Sequence, residues 1–232
     1  GNNKGWFSLV FKLHRRVHIL KKPGYELSDV VINLYSNEEN EEKLEKIRAT
    51  TYNLENGKLV TSDLDLKSGL YTDKIDKNQV NKKFALPNVK EGSIIEYEYT
   101  ITSDFLWNLR SWEYQGEHPR IWSEYNLALP DFLGYVFLTQ GYKKYDMEER
   151  KARYESFQTI KSRNMTATTI NSTGVDQYVT SSNVMYYRWV IKEVPGLKEE
   201  VYTSSVNNHI SKIEFQFKEY REPLLEQTVM DS

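Results

Sequence analysis

From residue 95 to residue 102 the chain alternates without a break. Ile95, Tyr97, Tyr99 and Ile101 fall on one side, and Glu96, Glu98, Thr100 and Thr102 on the other. A period of two sends successive side chains to opposite faces of an extended backbone, so this segment predicts a strand with one buried and one wet face. The same period runs near the start. There Phe7, Leu9, Phe11 and Leu13 alternate with Ser8, Val10 and Lys12, and Val17 and Ile19 resume the apolar side. A strand of this kind needs another layer over its apolar face, which narrows the fold to stacked or closed sheets.

The rest of the chain reads the same way. It holds 17 Tyr, 9 Phe and 5 Trp against 11 Gly and 6 Pro, and aromatic residues suit a pleated, half-buried surface. Further strands are predicted over residues 30–35, 47–51, 121–129, 135–139, 153–170, 184–191 and 210–220. Pro23-Gly24 marks a turn, and Asn56-Gly57, set between Tyr52-Asn53-Leu54 and Leu59-Val60, predicts a two-residue hairpin. A hairpin-like return through Asp104 is expected to join Trp107 to Trp112. Helical potential is confined to residues 73–80 and 148–152. About a dozen strands suffice for two packed sheets. The expectation is therefore an all-β fold, a large antiparallel β-sandwich with at most one or two short helices. It is expected to form a single domain over residues 1–222, with 223–232 as a linker.

Composition excludes several functions. The chain of 232 residues can bury a large core without metal or disulfide. Its net charge is -2, and only isolated pairs such as Lys82-Lys83 and Lys143-Lys144 are basic, so no nucleic-acid partner is expected. The absence of cysteine removes thiol nucleophiles, thiolate metal sites and disulfides, without fixing the compartment. No run reaches the ~18 apolar residues of a membrane-spanning helix, so no membrane span is expected. Gly1 reads as the remnant of a cleaved tag, which places the native N-terminus upstream.

The chemistry-bearing residues are sparse. His14 and His18 lie on a strand, where four residues separate them by about 13 Å, too far to share one ion. Glu96 and Glu98 lie on one face about 7 Å apart, a spacing comparable to that of glycosidase carboxylate pairs. Thr100 and Thr102 continue that face as an ordinary polar side. No phosphate loop or nucleophile elbow is present. No catalytic, cofactor-binding or metal residue is expected. The triplets at Asn164 and Asn171 match the glycosylation pattern, which carries no such meaning in a bacterial protein. The strongest functional candidate is aromatic: Phe105, Trp107, Trp112, Tyr114, Trp122 and Tyr125 fall within about twenty residues. Such rings either fill the space between sheets or anchor a partner. Trp107, Trp112, Tyr114 and Trp122 are the interaction candidates.

Several stretches, taken in order, form a larger pattern. They are residues 14–20 (HRRVHIL), 51–58 (TYNLENGK), 84–97 (FALPNVKEGSIIEY), 112–115 (WEYQ), 194–200 (VPGLKEE) and 210–215 (ISKIEF). This ordered set covers nearly the whole chain. It resembles the N-terminal domain of unknown function that precedes a transglutaminase-like domain in exported proteins of Bacteroides-type bacteria. The resemblance implies an immunoglobulin-like or larger sandwich, a periplasmic, outer-envelope or secreted location, and a papain-like Cys-His-Asp domain directly downstream. That family's catalytic residues belong to the next domain and match no position here. Lys198 and Glu199 follow the Pro195-Gly196 break and are expected either beside the next domain or in a solvated loop. The leading expectation is a non-catalytic accessory domain whose partner is the downstream domain of the same polypeptide, or another protein. The alternative is a carbohydrate-binding module that stacks a glycan on exposed Trp and Tyr. A hydrolase built on Glu96 and Glu98 comes last.

Overall fold

The computed structural model describes residues 7–162, 175–197, 210–221 and 228–229. Among them are fourteen strands, one 3-10 segment and one helical turn, and every paired strand is antiparallel. The fold is all-β and sandwich-like. The chain divides into two compact units, one from Ser8 to Phe105 and one that takes in Phe7 and the chain from Leu106. The sequence reading runs one domain through residues 1–222; each unit has sheets and a buried interior of its own and is described by itself.

The N-terminal unit contains β1 (Leu9–His18), β2 (Asp29–Tyr35), β3 (Lys43–Glu55), β4 (Lys58–Asp63), β5 (Tyr71–Lys74), β6 (Gln79–Ala85) and β7 (Ile94–Ser103). They form a four-stranded sheet in the order β1-β7-β3-β4 and a three-stranded sheet in the order β2-β6-β5. One contiguous core takes side chains from both: Ile32 and Leu34 of β2 and Phe84 of β6, with Ala49 of β3 and Ile95 and Ile101 of β7. Alternation in β1 and β7 places their apolar residues here, as the pattern requires. Asn56 and Gly57 both take positive φ, 50° and 78°, and close the β3–β4 hairpin with Glu55 opposite Lys58.

The turn between β6 and β7, spelled Leu86-Pro87-Asn88-Val89-Lys90-Glu91-Gly92, is fixed by a buried polar lock. The Asn53 side chain donates to the Asn88 carbonyl at 2.9 Å, and the Lys90 N–H donates to the Ser93 hydroxyl at 2.9 Å. Asn88 and Gly92 have φ of 55° and 85°, a region open to Asn and Gly at low cost.

The C-terminal unit contains β8 (Trp112–Glu113), β9 (Arg120–Pro130), β10 (Leu133–Gln140), β11 (Met147–Ser162), β12 (Val175–Val194), β13 (Lys212–Arg221) and β14 (Thr228–Val229). One sheet runs β11-β12-β9. In the other, β13 pairs with β10 on one side and with β8 and β14 on the other. Thr228 and Val229, placed in the sequence reading within a linker, pair with Arg221 and Tyr220.

Three local expectations fail. Residues 73–80 are not helical: Lys74 ends β5, Gln79 begins β6, and between them Asp76 accepts from the Asn78 N–H at 2.7 Å in a tight turn. The segment looks unpatterned because all four residues of β5 are exposed at a sheet edge. Residues 148–152 are strong helix formers that lie in β11, where Glu148 to Ala152 pair with Trp189 to Met185. The long ladder with β12 overrides a propensity worth tenths of a kcal/mol per residue. No hairpin joins Trp107 to Trp112 through Asp104. The unit boundary falls just after Phe105, and Trp112 pairs instead with Ile213 of β13. Residues 163–170 and the Asn164 and Asn171 triplets lie outside the described residues.

Candidate functional site

The outward face of the N-terminal four-stranded sheet carries the carboxylate pair singled out in the sequence. Glu96 on β7 accepts from His14 at 2.7 Å and from Arg16 at 2.7 and 3.2 Å on β1, and from the Tyr52 hydroxyl on β3 at 3.1 Å. Partial desolvation works against the charged carboxylate, but the bonds from His14, Arg16 and Tyr52 outweigh it and hold the Glu96 carboxyl below its ordinary value. A general acid needs the opposite shift. Glu98 faces Arg48 at 3.8 Å. The pair therefore does the work of cross-strand ion pairing. His14 spends its ring nitrogen on Glu96, and His18, two pleats further along β1, is exposed.

The aromatic candidates are not brought onto one surface. Tyr114 is fully buried, edge-on to Tyr145 with centroids 5.4 Å apart, and burial pushes its phenol above the ordinary value. Trp112 is half-buried; its indole donates to Ser123 at 3.1 Å and its ring lies 6.1 Å from Tyr125. Ser123 and Tyr125 point inward from β9, whereas Trp122 points to the other face of that strand. Trp122 is 48% exposed, donates to Glu124 at 2.8 Å, and has Lys192 above its ring at 4.9 Å. Trp107 is also 48% exposed. Phe105 and Tyr125 are buried. Lys198 and Glu199 lie outside the described residues.

Trp122 belongs to a charged strip across β9, β12 and β11. Arg188 of β12 donates to Glu124 of β9 at 2.8 and 3.2 Å and to Glu149 of β11 at 2.8 Å. The Arg188 bonds, helped by donors from Asn126 and Trp122 and opposed by desolvation, lower the Glu124 carboxyl to about 2. The sequence shows none of this, because its three members are far apart in the chain and meet only through strand pairing.

The concave feature of this unit was also missed. Among the described residues β10 and β11 are edge strands of their respective sheets, and between them a groove of about 450 Å³ opens. Its wall includes Phe137 of β10, Tyr145, Tyr187 and Trp189 of β12, and Ile213 of β13, with Glu148 and Arg150 of β11 at the rim. Tyr187 and Trp189 stack in parallel, 5.2 Å apart and 5° off plane. Phe137 meets both edge-on at 5.1 and 5.8 Å. The Arg150 guanidinium caps the stack 5.5 Å from the Tyr187 centroid. The alternation Tyr187–Trp189, with Arg188 between them, was the available signal, but nothing local tells a core stack from the wall of a groove.

No family model and no curated protein matches this chain. Among solved structures, a crystal structure from Parabacteroides distasonis, described as a "putative protease", is similar with a TM-score of 0.59 at 10% identity. The similarity covers 91% of this chain and 37% of that one, and at this identity it speaks for the fold. The chain thus spans little more than a third of the length of the protein it matches, and the fold is one that also occurs as part of a larger Bacteroidales polypeptide.

Proposed function

We propose that this chain is a non-catalytic accessory portion of a larger exported protein, where it positions or covers a transglutaminase-like or peptidase domain that follows it. The observation that carries this reading is the match of 91% of the chain to 37% of a longer protein described as a "putative protease". The ordered motifs point the same way, toward a Bacteroides-type envelope or secreted protein. The best-placed acids support it too. Glu96, Glu124 and Glu149 are each committed to cationic neighbours within their sheets rather than presented to a substrate.

The test is association with the catalytic part. This chain and the downstream segment of its native polypeptide would be produced separately, and their binding measured by calorimetry. Thermal stability of the downstream segment would be compared with and without the fusion. Binding, or a rise in melting temperature on fusion, is expected. No association and no change in stability would end the accessory reading. Half-exposed Trp107 and Trp122 keep a carbohydrate-binding reading in play, now without Trp112 and Tyr114. A glycan array with the Trp122→Ala variant as control decides that reading.

A further inference from the structure

A sheet edge offers unpaired N–H and C=O groups to any strand that arrives, and proteins commonly block their edges with charge. Several edges here follow that rule. β1 carries Lys12, Arg15 and Arg16, and β11 carries Glu148, Glu149, Arg150, Lys151 and Arg153. β10 does not: its eight residues, LGYVFLTQ, include no charge, and its outer side pairs with no described strand. β2 and β4 also lack internal charge, but β10 is the one of the three that lines the groove.

We propose that an extended polypeptide segment adds as a strand to the edge of β10 that no described strand pairs, along Leu133–Thr139, and seats one apolar side chain in the groove beside it. The edge calls for a backbone, because only another strand repeats donors and acceptors at the spacing β10 presents. The groove calls for an aliphatic side chain. Tyr187 and Trp189 turn a face on each other, with Tyr125 stacked on Trp189 and Arg150 over Tyr187, so these two rings offer no flat face to a sugar. What remains is a slot of ring edges and Ile213, with a volume inside the roughly 300–1,000 Å³ range of ligand sites. Across the slot, among the described residues, Arg150 has no ion-pair partner and Glu148 accepts from the Trp189 indole at 3.4 Å. They supply one donor and one acceptor for polar groups on the incoming strand. Strand addition would hold whether or not a catalytic part accompanies the chain, so this proposal and the accessory reading can fail separately.

The probe is a capped heptapeptide of alternating Thr and Val with Leu at its centre. It is compared with a peptide carrying Asp at the centre and with one N-methylated at alternate residues. Binding would be followed by amide hydrogen exchange and by titration calorimetry. The expected result is protection of β10 amides by the Leu peptide, with at least a tenfold loss of affinity for both altered peptides. Thr139→Lys, a substitution at an exposed rim position, should cost a similar factor while leaving the melting temperature in place. Arg150→Ala supplies a second rim variant and should weaken binding a few-fold. Equal binding of the N-methylated peptide, protection on β4 or β2 in place of β10, or no binding of the Leu peptide at millimolar concentration would overturn the proposal.

Discussion

The two units differ in how far aromatic rings join their aliphatic interiors. The N-terminal unit closes on an aliphatic core, with Ile19, Ile32, Leu34, Ile95 and Ile101 almost wholly buried. The interior of the C-terminal unit adds a connected set of rings to its buried Leu, Val and Ile side chains: Tyr125 stacks with Trp189 and with Phe215, and Phe137 meets Tyr187, Trp189 and Phe215 edge-on. Aliphatic side chains interdigitate and fill the space between sheets at organic-crystal density. Rings are rigid and prefer offset or edge-on geometry. The groove lies in the unit with the connected rings, and several of them form its wall.

That contrast can be broken by substitution, and the largest effect belongs to the rings. Trp189→Ala removes the centre of the stack and should cost about 3–5 kcal/mol in denaturant unfolding. Ile101→Ala in the aliphatic core should cost about 2–5 kcal/mol, and the gap between the two would narrow if groove-side rings can relax into the open space. A smaller loss, about 2 kcal/mol, is expected for Gly141→Ala after β10. The residue sits at φ 108°, and an added Cβ would come within 2.5 Å of the Ser211 backbone.

Charge gives the next smaller effects. The Glu124 carboxyl is lowered from 4.5 to about 2, so its contribution is fully present above pH 4.5 and is lost as the pH falls toward 2. In a pH series, Glu124→Gln should cost about 1 kcal/mol at neutral pH and nothing near pH 2. A constant difference across that range would show that Arg188 does not depend on Glu124. Smallest of all, Trp122→Ala on the outer face should change stability by less than about 1 kcal/mol, because half of the ring is already in water.

Much of the fold was legible because its strands carry local alternation. β1, β2, β7 and β9 follow the predicted pattern closely, and Asn56-Gly57 supplies the hairpin geometry it promises. The errors came where local chemistry and long-range pairing disagree. The stretch from Glu148 to Ala152 has the composition of a helix and the partners of a strand. Residues 71–74 form an exposed edge whose polarity hides the period. The site was harder still. The aromatic cluster between residues 105 and 125 is close in sequence, yet Trp112 lies on β8 in one sheet and Trp122 on the outward face of β9 in the other.

By itself, the sequence determined the class of the molecule, since a period of two together with β-branched and aromatic residues leaves no other way to bury the apolar side. It also determined that thiol chemistry is absent. Tertiary structure alone decided which rings are hidden, which carboxylates are neutralised by residues up to eighty-two positions away, and which sheet edge lies beside a groove. The reason is physical: alternation is a property of neighbouring residues, whereas burial, ion pairing and concavity depend on which strand lies next to which.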